Sequence, residues 1–257
     1  MPIKYRSRPS EYKGGTAANI TFVVTDACQL RCRYCYIHSK GTHSTMSLSL
    51  GRRVADYILE NEHLWPGSGV VFDFMGGEPL LEIERIDALS DYLKRQMFVR
   101  DHPWFDNYRL SISTNGLLYS DPRVQRYIAK NHDHLNISIS LDGTREKHDR
   151  QRVFPDGTGS HALVEEAFKL YLSQFPNGST KATVGREDLP LVAQSVLYLF
   201  SLGVGYVDIN VVFEDVWHEG DEVLFEEQLM VLADAMVDQR LFEGHSCSFF
   251  IESLGAS

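Results

Sequence analysis

At 257 residues, 43% hydrophobic and 23% charged, the chain has the length and balance of a globular α/β domain with a full core. Its formal net charge of -10 argues against nucleic acid as the main partner. No apolar run reaches membrane-spanning length, and the basic N-terminus "MPIKYRSRPS" lacks the apolar core of a signal peptide, so a cytoplasmic location is expected.

Residues 1–18 read as an N-terminal extension. "NITFVVT" (19–25) is β-branched and predicts a strand. It runs into "DACQLRCRYCY" (26–36), which holds Cys28, Cys32 and Cys35. "SLGRRVADYILENEHL" (49–64) has helical spacing, with Ser47 or Ser49 as its N-cap. "GVVFDFM" (69–75) is a second strand, stopped by "GGEP". "IERIDALSDYLKRQM" (83–97) is an amphipathic helix. "YRLSIST" (108–114) is a third strand, stopped by "NG". A short helix (124–131), a strand (135–143), a helix (161–175), a strand (180–184), a helix closed by Gly203 and a strand (206–213) follow. A last helix occupies 222–241.

Six strands alternating with helices predict a parallel sheet of right-handed βαβ units. Two architectures fit that pattern: a partial (β/α)6 barrel of TIM type, or an open doubly wound sheet. In both, ligands meet the C-terminal ends of the strands. The cysteine loop, "GGEP", "STNG" and "SLDG" all follow strands directly and should converge on one edge.

Three readings compete for the C-x3-C-x2-C cluster. Structural zinc would need a fourth ligand, from Cys247, His38 or His43. A redox pair "CRYC" leaves Cys28 unexplained. An iron–sulfur cube held by three thiolates leaves one iron open for a small molecule. Arg31 and Arg33 beside the cysteines read as solvated surface, or as compensation for cluster charge.

The triad resembles the signature of the radical S-adenosylmethionine superfamily. That resemblance implies a radical SAM core with a [4Fe–4S] cluster on Cys28, Cys32 and Cys35, and S-adenosylmethionine bound at the open iron. It places Tyr34 near the adenine. It gives Gly76, Gly77 and Glu78 of "MGGEP" the amino group of the methionine moiety, the Glu78 carboxylate being able to hold an ammonium. Asn115 of "STNG" belongs to the same set. "SISLDGTREKHDRQR" (138–152) is similar to a stretch of peptide- and protein-modifying members such as sulfatase maturases and thioether-forming peptide maturases. By that match Ser140 touches the ribose or carboxylate of the cofactor, Asp142-Gly143 shape the substrate side, and Arg152 fills the last motif position. No histidine, His148 included, is given a catalytic role.

The implied function is an oxidoreductase-type radical SAM enzyme. It would cleave S-adenosylmethionine reductively to a 5′-deoxyadenosyl radical and abstract hydrogen from a peptide or protein. A flavodoxin or ferredoxin would supply the electron. A small-molecule substrate, or a zinc-stabilised or truncated binding module without turnover, are the alternatives. The core is assigned to 19–213. From 214 to 252 the chain has eleven acids and one base, which reads as a solvated helix face or a surface for a basic partner. Relatives usually continue into a cysteine-rich SPASM domain. Residues 214–257 are therefore expected to lead toward such a domain, with an apolar patch at Phe249, Phe250 and Ile251.

Overall fold

The computed structural model describes residues 17–37, 44–65, 67–176, 178–214 and 216–250. Seven parallel strands form one sheet: β1 (Ala17–Thr25), β2 (Gly69–Gly76), β3 (Tyr108–Thr114), β4 (Leu135–Ser140), β5 (Ser179–Val184), β6 (Tyr206–Val211) and β7 (Ser246–Cys247). The helices are α1 (Leu48–Glu60), α2 (Ile83–Val99), α3 (Pro122–Asn131), α4 (Arg145–Gln151), α5 (His161–Gln174), α6 (Val192–Ser201) and α7 (Asp221–Asp238).

Strand order in the sheet follows chain order, β1 to β7, and β1 and β7 do not pair. A doubly wound sheet would reverse its order at a switch point. Sequential order with right-handed crossovers puts every helix on the same face and curls the sheet around the other. The architecture is therefore the partial barrel.

Side-chain alternation divides the two faces. Phe72, Phe74, Leu110, Ile112, Ile137 and Ile139 point to the helices and are buried. They pack on Ile86, Leu89 and Leu93 of α2 and their counterparts on the other helices. The opposite, concave face carries Asp73, Ser111, Ser138, Lys181 and Asp208, all partly accessible. Lys181 and Asp208 are 3.7 Å apart there. So the core lies outside the barrel wall, and the inside is polar.

Local chemistry explains most boundaries. Ser47 caps α1, accepting from the Leu50 N–H. Gly203, at φ 94°, ends the turn after α6. Two elements go beyond the sequence expectation. α4 forms inside "TREKHDRQR", capped by Thr144. β7, only two residues long, joins β6 and brings the buried Cys247 beside Val207. The strand-and-helix alternation thus runs past residue 213. β4 and β6 end earlier than expected, at Ser140 and Val211. Beyond β4, the Leu141 and Asp142 N–H groups turn to Thr180 Oγ1 and His148 Nδ1 instead of a neighbouring strand.

Of the expected C-terminal apolar patch, Phe250 is exposed. Phe249 instead packs against Phe225, their ring centres 5.2 Å apart. Ile251, His38 and His43 lie outside the described residues. Among those described, no helix is long and apolar enough to cross a membrane.

Candidate active site

After Thr25 the chain leaves β1 and crosses the C-terminal edge of the sheet as the cysteine loop. Its start is fixed by "GGEP": the Gly77 N–H donates to Thr25 O and the Glu78 N–H to Ala27 O, both at 2.8 Å. A Cβ on Gly76 would lie 2.2 Å from Thr25 O, and one on Gly77 2.4 Å from Ala27 O. These glycines are needed because the two backbones touch. Further on, the Arg31 N–H donates to Val153 O at 2.7 Å and the Arg33 N–H to Gln151 O at 2.9 Å.

Glu78 is 1% exposed. Its carboxylate accepts from the Leu80 N–H (3.0 Å), the Thr114 hydroxyl (2.6 Å) and the Asn115 N–H (2.8 Å). Burial pushes its pKa up, against the pull of those three donors. It ties "GGEP" to the end of β3. Asn115 extends the tie: its Nδ2 donates to Gln29 Oε1 at 3.1 Å and approaches Cys28 Sγ at 3.8 Å. The Leu30 N–H points at the same sulfur, at 3.4 Å. Cys28 therefore sits among N–H donors, the surroundings that stabilise a thiolate or a cluster sulfur.

Arg31 is not free surface. Its Nη1 donates to the carbonyls of Cys28 (2.8 Å) and Leu30 (3.0 Å), bracing the loop. Arg33 is exposed, as expected of solvated surface.

Arg152 is far from a surface arginine. Its Nε and Nη2 donate to the two oxygens of Asp142, at 2.9 and 3.1 Å. The Tyr34 hydroxyl donates to Asp142 Oδ2, and the Arg152 guanidinium lies 5.5 Å from the centre of the Tyr34 ring. Burial alone would raise the Asp142 pKa; Arg152 and Lys147 beside it hold it well below the usual carboxylate range. Burial also disfavours charge on Arg152, and Asp142 overrides it, raising the guanidinium pKa further. Asp142 is 1% exposed and faces the protein interior.

A cavity of about 420 Å³ opens between these parts, in the usual range for a small-molecule site. Cys28, Cys32, Cys35, Tyr34, Gly76, Gly77, Glu78, Asn115, Ser140 and Arg152 all line it. The structure thus brings the residues expected to hold the cluster and the cofactor to one place, while Asp142 and Gly143, expected on the substrate side, do not line the cavity. It adds Met75, Ser113, Thr183 and Asn210, which are inward residues at strand ends. Only strand register could have found them. Cys247, in β7, pairs with Val207 near the start of β6, away from the C-terminal edge, and does not join the set.

The donor set is three thiolates on one loop, a number that suits a cube with one open iron. Among the described residues no three His, Cys, Asp or Glu side chains close on one point as a mononuclear site requires. His38 and His43, the other candidates for a fourth zinc ligand, lie outside the described residues.

The model of the Radical SAM superfamily matches residues 22–188. An uncharacterised protein of Methanocaldococcus jannaschii is 28% identical over 188 residues, which is 73% of this chain and 60% of that protein. The cysteine-type anaerobic sulfatase-maturating enzyme of Clostridium perfringens is 28% identical over 159 residues, 57% of this chain and 38% of that enzyme. The chain therefore spans less than two thirds of the length of either relative. In fold it is similar to anSMEcpe with bound AdoMet, with a TM-score of 0.72 at 19% identity, over 91% of this chain and 64% of that one. Streptococcus suis SuiB bound to its precursor peptide SuiA is similar over 87% of this chain and 47% of that one, at 13% identity and a TM-score of 0.59.

Proposed function

The chain belongs to the radical SAM superfamily, and from this we propose that it is a radical-generating enzyme whose Cys28, Cys32 and Cys35 hold a [4Fe–4S] cluster with S-adenosylmethionine on its open iron. Once bound and reduced, this pair supplies one-electron cleavage of the cofactor and removal of a hydrogen atom from the substrate.

The protein's part is positioning and enclosure. Gly76 and Gly77 let "GGEP" press the cysteine loop onto the sheet edge. Glu78 has three protein donors among about four acceptor sites, which leaves one for the ammonium of the cofactor. Ser140 lines the cavity, where its hydroxyl would meet a ribose or carboxylate oxygen. Tyr34 offers its ring as a wall beside the adenine, held in place through its hydroxyl by Asp142. No side-chain nucleophile is needed. His148 is fully buried, and burial pushes its pKa down to about 3, so it is neutral and structural.

The substrate is a peptide or protein in this reading. Support comes from the sulfatase-maturating relatives and from the fold likeness to anSMEcpe and SuiB, both solved with peptides. The polar concave face below the cavity suits peptide amides. A small-molecule substrate is the second reading, favoured by a 28% identical relative over 163 residues, the Fe-coproporphyrin III synthase of Methanosarcina barkeri. A flavodoxin or ferredoxin in the cytoplasm would supply the electron.

The observation that carries the proposal is the convergence of the triad, "GGEP", Ser140 and Arg152 on one cavity. The test is turnover with a reductant, comparing candidate precursor peptides with a coproporphyrin. Release of 5′-deoxyadenosine that rises with peptide, together with a mass change in that peptide, is expected. A rise with the coproporphyrin alone would favour the second reading.

A further inference from the structure

Two backbone bonds place Cys32 opposite Arg152. The Arg31 and Arg33 N–H groups donate to Val153 O and Gln151 O, so the two residues between them face each other in one register. The Arg152 side chain is 11% exposed and that of Asp142 is 0% exposed. Asp142 takes both Nε and Nη2, and also accepts from the Tyr34 hydroxyl and the Thr183 N–H at 3.0 Å. The Tyr34 ring covers the guanidinium at cation–π distance. Behind Asp142, Lys147 Nζ donates to the carbonyls of Asp142 and Thr183, at 3.0 and 2.6 Å. His148 Nε2 meets Ser160 Oγ at 2.9 Å, and Ser160 Oγ donates to Arg152 O at 2.9 Å. The guanidinium is therefore held from its own side chain, its own backbone and the ring above it.

A buried ion pair is a poor device for stability, since taking two charges out of water costs several kcal/mol per ion. Its orientation is informative. The Arg152 charge acts on Asp142, Tyr34 and Cys32. The Asp142 charge acts on Arg152, Lys147 and His148, and on Tyr34 as well. Arg152, and not Asp142, lines the cavity together with the three cysteines, so the positive member of the pair is the one that shares their cavity, and charges in such partly enclosed surroundings interact more strongly than in water. Charge and hydrogen bonding around cluster sulfurs set the potential of a cluster, and a cation favours its reduced, more negative state.

We propose that Arg152, fixed by Asp142 and Tyr34, is a built-in counter-charge that raises the reduction potential of the cluster on Cys28, Cys32 and Cys35. This rests on the proposed cluster. Arg31 and Arg33, for which the sequence offered charge compensation as one of two readings, do not fill the role: Arg31 is turned onto loop carbonyls and Arg33 lies in solvent.

The test is a potentiometric titration of the anaerobically reconstituted chain, followed by electron paramagnetic resonance. Arg152→Gln should make reduction about tenfold less favourable, a fall of about 59 mV for one electron. Arg152→Lys, which keeps the charge, should recover most of it, and Arg33→Gln should stay at the parent value. A potential for Arg152→Gln within twofold of the parent equilibrium would overturn the proposal. Loss of the cluster from both Arg152 variants would also overturn it, because the grip and not the charge would then matter. Loss from Arg152→Gln alone supports it. A parent chain that takes up no iron and sulfide would remove the cluster reading itself, before any variant is compared.

Discussion

Glu78 and His148 show what single residues contribute. From the sequence, Glu78 was marked as a site residue only by the resemblance of "GGEP" to the superfamily's motif. Its three protein donors were not legible, since two of them come from Thr114, the last residue of another strand, and Asn115 just after it. Glu78→Gln replaces an all-acceptor group by one that presents two donors. It should leave at least one buried N–H unpaired, at about 1–3 kcal/mol. A lower thermal midpoint and about tenfold or more weaker binding of S-adenosylmethionine by calorimetry are expected; both unchanged would show that Glu78 is a turn residue only. His148 is buried neutral, with a pKa of about 3 against an ordinary 6.5. Between those values the unfolded chain binds the extra proton. Stability from this group is therefore fully present above about pH 6.5 and is lost as pH falls toward 3, by up to about 1.4 kcal/mol per unit. Asp142, whose pKa is held low, adds its own loss below the carboxylate range. Urea midpoints should fall with pH through that window in the parent chain and flatten in His148→Gln. Equal slopes in both proteins would contradict this.

At the scale of elements, the cysteine loop depends on the turn after β2. Gly77→Ala would drive a methyl into the carbonyls of Ala27 and Asp26, at 2.4 and 2.5 Å from backbone that cannot move without the loop. Reconstituted iron per chain should fall well below the parent value, while the circular dichroism spectrum of the fold persists; parent-like iron would show that the loop adapts. α4 escaped the sequence because its buried residues, Lys147, His148 and Gln151, are polar and leave no apolar period to read. Its buried polar network could be seen only once Asp142 and Arg152 were placed around it, and Asp188, whose carboxylate accepts from Gln151 Nε2 at 3.1 Å. β7 escaped because two residues give no pattern. It puts Cys247 in the core beside β6, far from Cys28, so Cys247→Ala should cost about 1 kcal/mol in stability and leave iron and sulfide per chain unchanged. A drop in metal content on that substitution would revive a four-ligand zinc site.

For the whole molecule, the sequence showed the alternation of strands and helices and the edge where motifs meet. It could not choose between barrel and doubly wound sheet, because both have the same local pattern and differ only in strand order. Sequential order decides this, and it also produces the polar concave face. That face, with Asp73, Lys181 and Asp208 just below the cavity, is where a substrate would lie. All of this depends on the three cysteines holding a cluster with one open iron. The most direct test is the electron paramagnetic resonance spectrum of the reduced, reconstituted chain before and after S-adenosylmethionine is added. The account predicts about four irons and four sulfides per chain, a spectrum that changes on addition, and release of 5′-deoxyadenosine that disappears in Cys32→Ala. One zinc per chain without sulfide, or a cluster whose spectrum ignores S-adenosylmethionine, would contradict it.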